Sequence, residues 1–268
     1  MKKINVNHKD RLVSFSKSKL NRIITNTYDG VTKDILEFVA RSKFTSAHNI
    51  SMLLNSKDAE KDIEYIDYLI EQDLLEKREI VFGPDLYSLT TKGAKLMEVK
   101  KFRVNQVNLW AMSHALIAQS ETILAMKQYK VIQYEFEPQD GPKSTRPDAI
   151  WIYQDKTSGL EVEMRVEIEL TEKPLANGKM AIFFEKLFSK PTVVVFTNKA
   201  IMNKYYEIAE EYWFGGVPLW RNVDSKWFNT GARRKVTIEE MINVSFKMAG
   251  EKHTVWHQIY GRVFLKKR

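Results

Sequence analysis

Apolar residues recur at helical spacing over Val31–Lys43, where Ile35, Leu36, Phe38 and Val39 share a face, and this predicts an amphipathic helix. Thr45–Asn55 predicts a second, shorter helix. Ser56 stands as the N-cap of a third, Lys57 to Leu74, with Ile63, Ile66, Leu69 and Ile70 on one face. The period then changes. Leu75–Ile80 and Leu86–Leu89 flank the turn Gly83-Pro84-Asp85, as a β-hairpin would, and Thr90–Val99 opens another helix. A second series follows. Gln106–Tyr129 reads as a long helix with Leu109, Met112, Leu116, Ile123 and Met126 spaced for burial. Val131–Phe136, Pro147–Tyr153 and Glu161–Thr171 read as strands, and Met180–Ser189 as a helix. Thr192–Thr197 is an unbroken apolar strand, expected to be central and covered on both faces, and Lys199–Trp213 a further helix. Residues 1–30 show no such period and read as a polar arm. The chain is therefore expected to be of α+β or α/β class, with an arm (1–30), a helix-and-hairpin domain (31–100) and an α-β-β-β-α-β domain (101–268).

The strand Glu161–Thr171 carries the strongest chemical signal. Side chains alternate faces along a strand, so Val162, Met164, Val166, Ile168 and Leu170 lie on one face and Glu161, Glu163, Arg165, Glu167 and Glu169 on the other. A solvated polar face would give the same pattern, yet four carboxylates on one face repel one another. A divalent cation relieves that repulsion, and Mg²⁺ or Mn²⁺ takes hard oxygen ligands of this kind. Asp148 stands on the preceding strand in Arg146-Pro147-Asp148-Ala149. The connection is short, so the two strands are expected to pair antiparallel and to bring Asp148 opposite Glu167 or Glu169. Such a set holds a metal for phosphodiester hydrolysis.

Charge sharpens this picture. The net charge is +8, and its placement is uneven: residues 1–30 carry seven Lys/Arg against two acids, and residues 221–268 carry eleven against four. Basic flanks around an acidic centre suit a polyanionic partner. No apolar run is long enough to span a membrane, no apolar segment follows the basic N-terminus as in a signal peptide, and there is no cysteine. Disulfides and thiolate metal sites are thereby excluded. A cytoplasmic protein without membrane insertion is expected.

Three resemblances add to this reading. Leu69-Ile70-Glu71-Gln72-Asp73-Leu74-Leu75-Glu76-Lys77, followed by Tyr87-Ser88-Leu89-Thr90-Thr91-Lys92-Gly93, resembles winged-helix DNA-binding proteins. The third helix, which such proteins set in the major groove, here carries Asp58, Glu60, Asp62, Glu64, Asp67 and Glu71 against Lys57 and Lys61. Acid repels phosphate, so DNA contact is expected instead from Lys77 and Arg78 of the wing or from the basic arm, with protein contact or dimerisation as the alternative role. Pro147-Asp148, then Glu167-Ile168-Glu169, resembles the PD-(D/E)xK nuclease core of restriction enzymes, with Glu169 where that motif has lysine. Lys173 and Lys186 are the available substitutes. More narrowly, His114–Gln119, Arg146-Pro147-Asp148, Val166–Thr171 and Glu185-Lys186-Leu187 together resemble the plasmid replication-relaxation family and the related MOBC-class relaxases, over roughly residues 31–200. That resemblance implies a Mg²⁺- or Mn²⁺-dependent endonuclease that nicks plasmid DNA at a transfer origin during conjugative mobilisation, in company with other relaxosome proteins or a coupling protein. It implies Asp148, Glu167 and Glu169 as metal ligands and Lys186 as the lysine that neutralises phosphate. The alternative is an accessory protein that keeps the frame for DNA binding alone.

Further candidates are less specific. His114 stands as a base or phosphate ligand, or else as a satisfied helix histidine; Glu121 and Gln119 are on the same helix. Trp213, Trp220, Trp227, Phe228 and Trp256 are interleaved with Arg221, Lys226, Arg233, Arg234 and Lys235, a mixture that suits single-stranded DNA and equally a packed core. Tyr129, Tyr134, Tyr153, Tyr205 and Tyr206 are candidates for a covalent link to DNA.

Overall fold

A computed structural model describes residues 29–251 except 57, 82, 105–106, 130, 139–145, 155–158, 175–177 and 224–225. The basic arm up to residue 28, Trp256 and the rest of the chain beyond residue 251 lie outside the described residues. The chain is of mixed α+β class and divides into two units, residues 1–108 and 109–268.

In the first unit the order is α1 (Asp29–Ser42), β1 (Phe44–Ser46), α2 (Ala47–Leu54), α3 (Ala59–Glu71), β2 (Leu75–Arg78), β3 (Leu86–Leu89) and α4 (Thr91–Leu96). The strands form an antiparallel sheet of order β1-β3-β2. The predicted apolar faces meet in one core, where Ile35, Leu36, Val39, Ile50, Ile66, Leu69, Leu75 and Leu89 are buried. Two boundaries differ from expectation. The second helix does not begin at Thr45, because Phe44–Ser46 pair with β3 and the Ser46 hydroxyl caps the helix at Asn49 N. The third helix is capped by Asp58, whose Oδ1 accepts Lys61 N at 3.1 Å, while Ser56 Oγ accepts Asp58 N one step earlier. The Leu-Thr-x-x-Gly turn also has a structural reason. Thr90 Oγ1 accepts Gly93 N at 3.0 Å, and a Cβ on Gly93 would stand 2.2 Å from the Leu74 carbonyl oxygen, so no larger residue fits.

The second unit runs α5 (Leu109–Gln128), β4 (Val131–Phe136), β5 (Ala149–Gln154), β6 (Glu161–Glu169), α6 (Lys179–Ser189), β7 (Thr192–Phe196), α7 (Lys199–Gly215), β8 (Val217–Val223), β9 (Lys226–Arg234), α8 (Ile238–Ile242) and β10 (Val244–Met248). Its main sheet has the order β10-β7-β6-β5-β4. β4, β5 and β6 run antiparallel, whereas β7 joins β6 and β10 in parallel. β7 is buried throughout between two neighbours, as its apolar run predicts. α5 covers one face of the sheet, where Trp151 Nε1 donates to Thr122 Oγ1 at 2.8 Å. α6 and α7 cover the other, over an aromatic core of Phe184, Phe188, Phe196, Tyr205 and Phe246. The sequence pattern predicts no element beyond residue 213. The ribbon β8–β9, the capping box of Thr237 and Glu240 that starts α8, and the edge strand β10 are additions of the structure.

Candidate active site

β5 and β6 pair antiparallel with Ala149 opposite Val166, so Asp148 just precedes β5 beside the C-terminal end of β6. Its backbone continues the ladder, with Asp148 N donating to Val166 O at 2.9 Å. Its side chain is then locked: Oδ2 accepts the Ile168 amide at 2.7 Å. Asp148 therefore lies between Glu167 and Glu169, and its charge acts on both.

The acid face of β6 divides along its length. Glu161 is exposed and Glu163 half-buried, but Glu167 and Glu169 are buried, at 7% and 5% exposure. The reason is the helical layer. β6 runs out from the sheet margin to a position beneath α6 and α7. Each buried acid has met a cation there. Lys186 Nζ on α6 lies 2.6 Å from Glu167 Oε1 and donates to the Arg146 carbonyl at 3.1 Å. Lys173, in the loop after β6, donates to Glu169 Oε1 and lies 4.1 Å over the Phe183 ring. Tyr205 on α7 donates to Glu169 Oε2 at 3.2 Å.

Electrostatics follow from this burial. Loss of water pushes the Glu167 carboxyl up to about 7, against the pull of Lys186, and Asp148 adds to the rise. Glu169 moves the same way for the same first reason, offset by Lys173. Burial and the nearby Glu169 raise the Tyr205 phenol well above its ordinary value. Three acids thus face two lysines, and one negative charge remains uncompensated when all are ionised. Lysines within the fold take up part of the repulsion along β6. Among the described residues, no three His, Asp or Glu side chains stand ready as a cation cage.

His114 approaches from α5. Its Nδ1 lies 3.6 Å from Asp148 Oδ1, too far for a hydrogen bond. Its ring rests against Trp110 with centroids 4.0 Å apart, and Nε2 is buried without a hydrogen-bond partner among the described residues. Glu121, on the same helix, is placed apart from the cluster: it is 1% exposed, accepts from Lys247 on β10, and accepts the Gly250 amide at 2.7 Å. That arrangement is a closed internal pair. Lys247 was not singled out in the sequence because a lysine one residue from the end of an apolar strand looks like any surface lysine.

The remaining candidates are dispersed. Lys77 on β2 is drawn into a pair with Asp85 at 2.8 Å, and Arg78 is half-buried beside it. Arg233 and Arg234 are engaged with Glu211, Glu185 and Glu240 at the foot of β9, whereas Lys235 is exposed. Of the tyrosines, Tyr205 is fully buried with its hydroxyl spent on Glu169. Tyr129, Tyr134, Tyr153 and Tyr206 are half-buried. No helix among the described residues is long and apolar enough to cross a membrane. Compared with protein families, curated proteins and solved structures, the chain matches none.

Proposed function

We propose that the chain is a metal-dependent DNA-nicking enzyme of relaxase type, acting at a plasmid transfer origin. The carrying observation is the convergence of Asp148, Glu167 and Glu169 with Lys186 at the ends of two adjacent antiparallel strands. In this reading the first unit is a winged helix and the second a PD-(D/E)xK-like core. The element order α1-β1-α2-α3-β2-β3 with the sheet arranged β1-β3-β2 supports the former, and the α-β-β-β-α-β order with Asp148 and Glu167 side by side supports the latter. Plasmid DNA is the substrate, other relaxosome proteins or a coupling protein are the partners, and the setting is cytoplasmic.

The residues suit Mg²⁺ or Mn²⁺ in kind. Asp148 keeps a partly exposed carboxylate, at 29% side-chain exposure, and Glu167 is a buried oxygen donor that its lysine compensates incompletely. Such ions often take only one or two carboxylates and complete their shell with water and phosphate. Asp148, Glu167 and Glu169 would hold the ion, which supplies a polarised phosphate and a more acidic attacking water. The chain's own groups do the rest. The Ile168 amide fixes the Asp148 carboxylate in one orientation. Lys186, gripped between Glu167 and the Arg146 carbonyl, is a preorganised cation for charge developing on a phosphate. Lys173 and Tyr205 hold Glu169 in place. His114 limits the freedom of Asp148 from the side of α5.

One observation favours the accessory-protein reading: both buried acids already have a lysine, so the cluster is nearly neutral without any ion. Relaxation of supercoiled origin plasmid, with and without Mn²⁺, decides between the two. Metal-dependent nicked circles from the wild type and none from Asp148→Ala support the nuclease. Equal yields from the two proteins remove it.

A further inference from the structure

Strands β8 and β9 form a two-stranded ribbon that pairs with no other described strand. An isolated ribbon is marginal in water, so its base needs anchors. Arg234 supplies the first: it donates to both oxygens of Glu185 on α6, at 2.8 to 3.2 Å, and to both of Glu240 on α8, at 2.9 Å. Arg233 donates to Glu211 at 3.1 Å and to the Gly215 and Gly216 carbonyls. The Trp220 ring covers Gly178 so closely that a Cβ there would stand 2.3 Å from it. The foot of the ribbon is thus fixed by charge and ring contacts.

The outer part contributes nothing to the core and yet carries large side chains. Trp227, Phe228 and Val223 are 44%, 53% and 44% exposed. The register sets Arg221 opposite Phe228 and Val223 opposite Lys226, so alternation puts all four on one face. Arg221 and Lys226 are both exposed, and no carboxylate among the described residues pairs with either. Cations beside an exposed ring, with no described acid among them, match a ligand that is anionic and flat-faced at once.

We propose that this face of the ribbon binds single-stranded nucleic acid, with Arg221 and Lys226 on phosphates and Phe228 stacked on an unpaired base. The proposal rests on the nucleic-acid reading above but not on its chemistry. A duplex offers the same phosphates but keeps its base faces inside the stack, where Phe228 gains nothing. A single strand uses both features, since every unpaired base has a face for an aromatic ring. The anchor residue Glu185 adjoins Lys186 on α6, so one helix serves both the ribbon and the candidate active site.

Fluorescence anisotropy of the full chain tests this, using a labelled oligo-dT and a duplex of equal length without divalent cation. Phe228→Ala should weaken oligo-dT binding about tenfold or more and leave duplex binding nearly unchanged. Replacing Arg221 and Lys226 together by Ala should reduce the salt slope for the single strand by about 1.4, the share of two phosphate contacts. All three side chains are exposed, so unchanged thermal unfolding serves as the folding control. Oligo-dT affinity unaffected by Phe228→Ala overturns the proposal, as does an equal loss on duplex. If the wild type fails to nick plasmid while Phe228→Ala loses the oligonucleotide, the ribbon assignment stands and the nuclease alone falls.

Discussion

Two buried glutamate–lysine pairs occupy opposite faces of the same sheet. On the α5 face, Glu121 and Lys247 are almost inaccessible, and the Gly250 amide takes the remaining carboxylate oxygen. On the α6 and α7 face, Glu167 meets Lys186, but Asp148 lies beside it with a partly exposed carboxylate, and Glu169 adds a third acid. The first pair balances charge and satisfies its polar atoms, which describes a structural device. The second holds more acid than base and reaches solvent through Asp148, and the proposed metal site rests on that difference. Burial of a charged residue therefore does not by itself identify chemistry. The balance of partners around it does.

Substitutions at the two pairs should separate along that line. The largest effect is expected at Asp148: Asp148→Ala should reduce nicking of supercoiled origin plasmid to background while gel-shift affinity for DNA stays largely intact, because phosphate contacts come from other residues. Nicking at the wild-type rate would return the cluster to a structural role. Next comes Glu121→Ala, which should act on stability, since it leaves Lys247 buried without its partner. A loss of about 3–5 kcal/mol is expected in urea unfolding. Destabilisation well under that range would mean that water reaches Lys247 readily and that the contrast between the faces is weaker than drawn.

Lys186→Ala should slow nicking by about a hundredfold, the scale of removing one preorganised electrostatic contact, while sparing Mn²⁺ binding measured by calorimetry. Loss of the metal signal instead would place Lys186 in the support of Glu167 and not at the phosphate. The last effect concerns pH. The folded chain holds the Glu167 proton more tightly than the unfolded chain does, with its carboxyl at about 7 against an ordinary 4.5. Glu167 therefore adds stability below the lower value and loses that contribution as pH rises to the upper one. Across this window, the unfolding free energy of the wild type relative to Glu167→Gln should fall by up to about 3 kcal/mol. A flat difference would show that Lys186 offsets the cost of burial entirely.

Much of this frame was legible in the chain itself. The helical period of Ile35, Leu36 and Val39, the hairpin around Gly83-Pro84-Asp85 and the apolar run Thr192–Phe196 each report a local choice of backbone and a face to bury. The pairing of Asp148 with the strand of Glu167 followed from a short connection between two alternating segments. Long-range partners were not legible. Nothing near Glu121 in sequence points to Lys247, which arrives from the edge of the sheet on a strand 126 residues later. The alternation along β6 gave Glu161 and Glu167 the same face, but only the layer of α6 and α7 made one wet and the other dry. The ribbon β8–β9 escaped notice because its residues alternate without burying a face, and hydrophobic period is a signal only where burial creates it. Local sequence set which backbone forms where and which residues share a face. Tertiary packing decided which charges lose their water and which cation they meet, because desolvation and ion pairing depend on neighbours that the chain brings together only once it has folded.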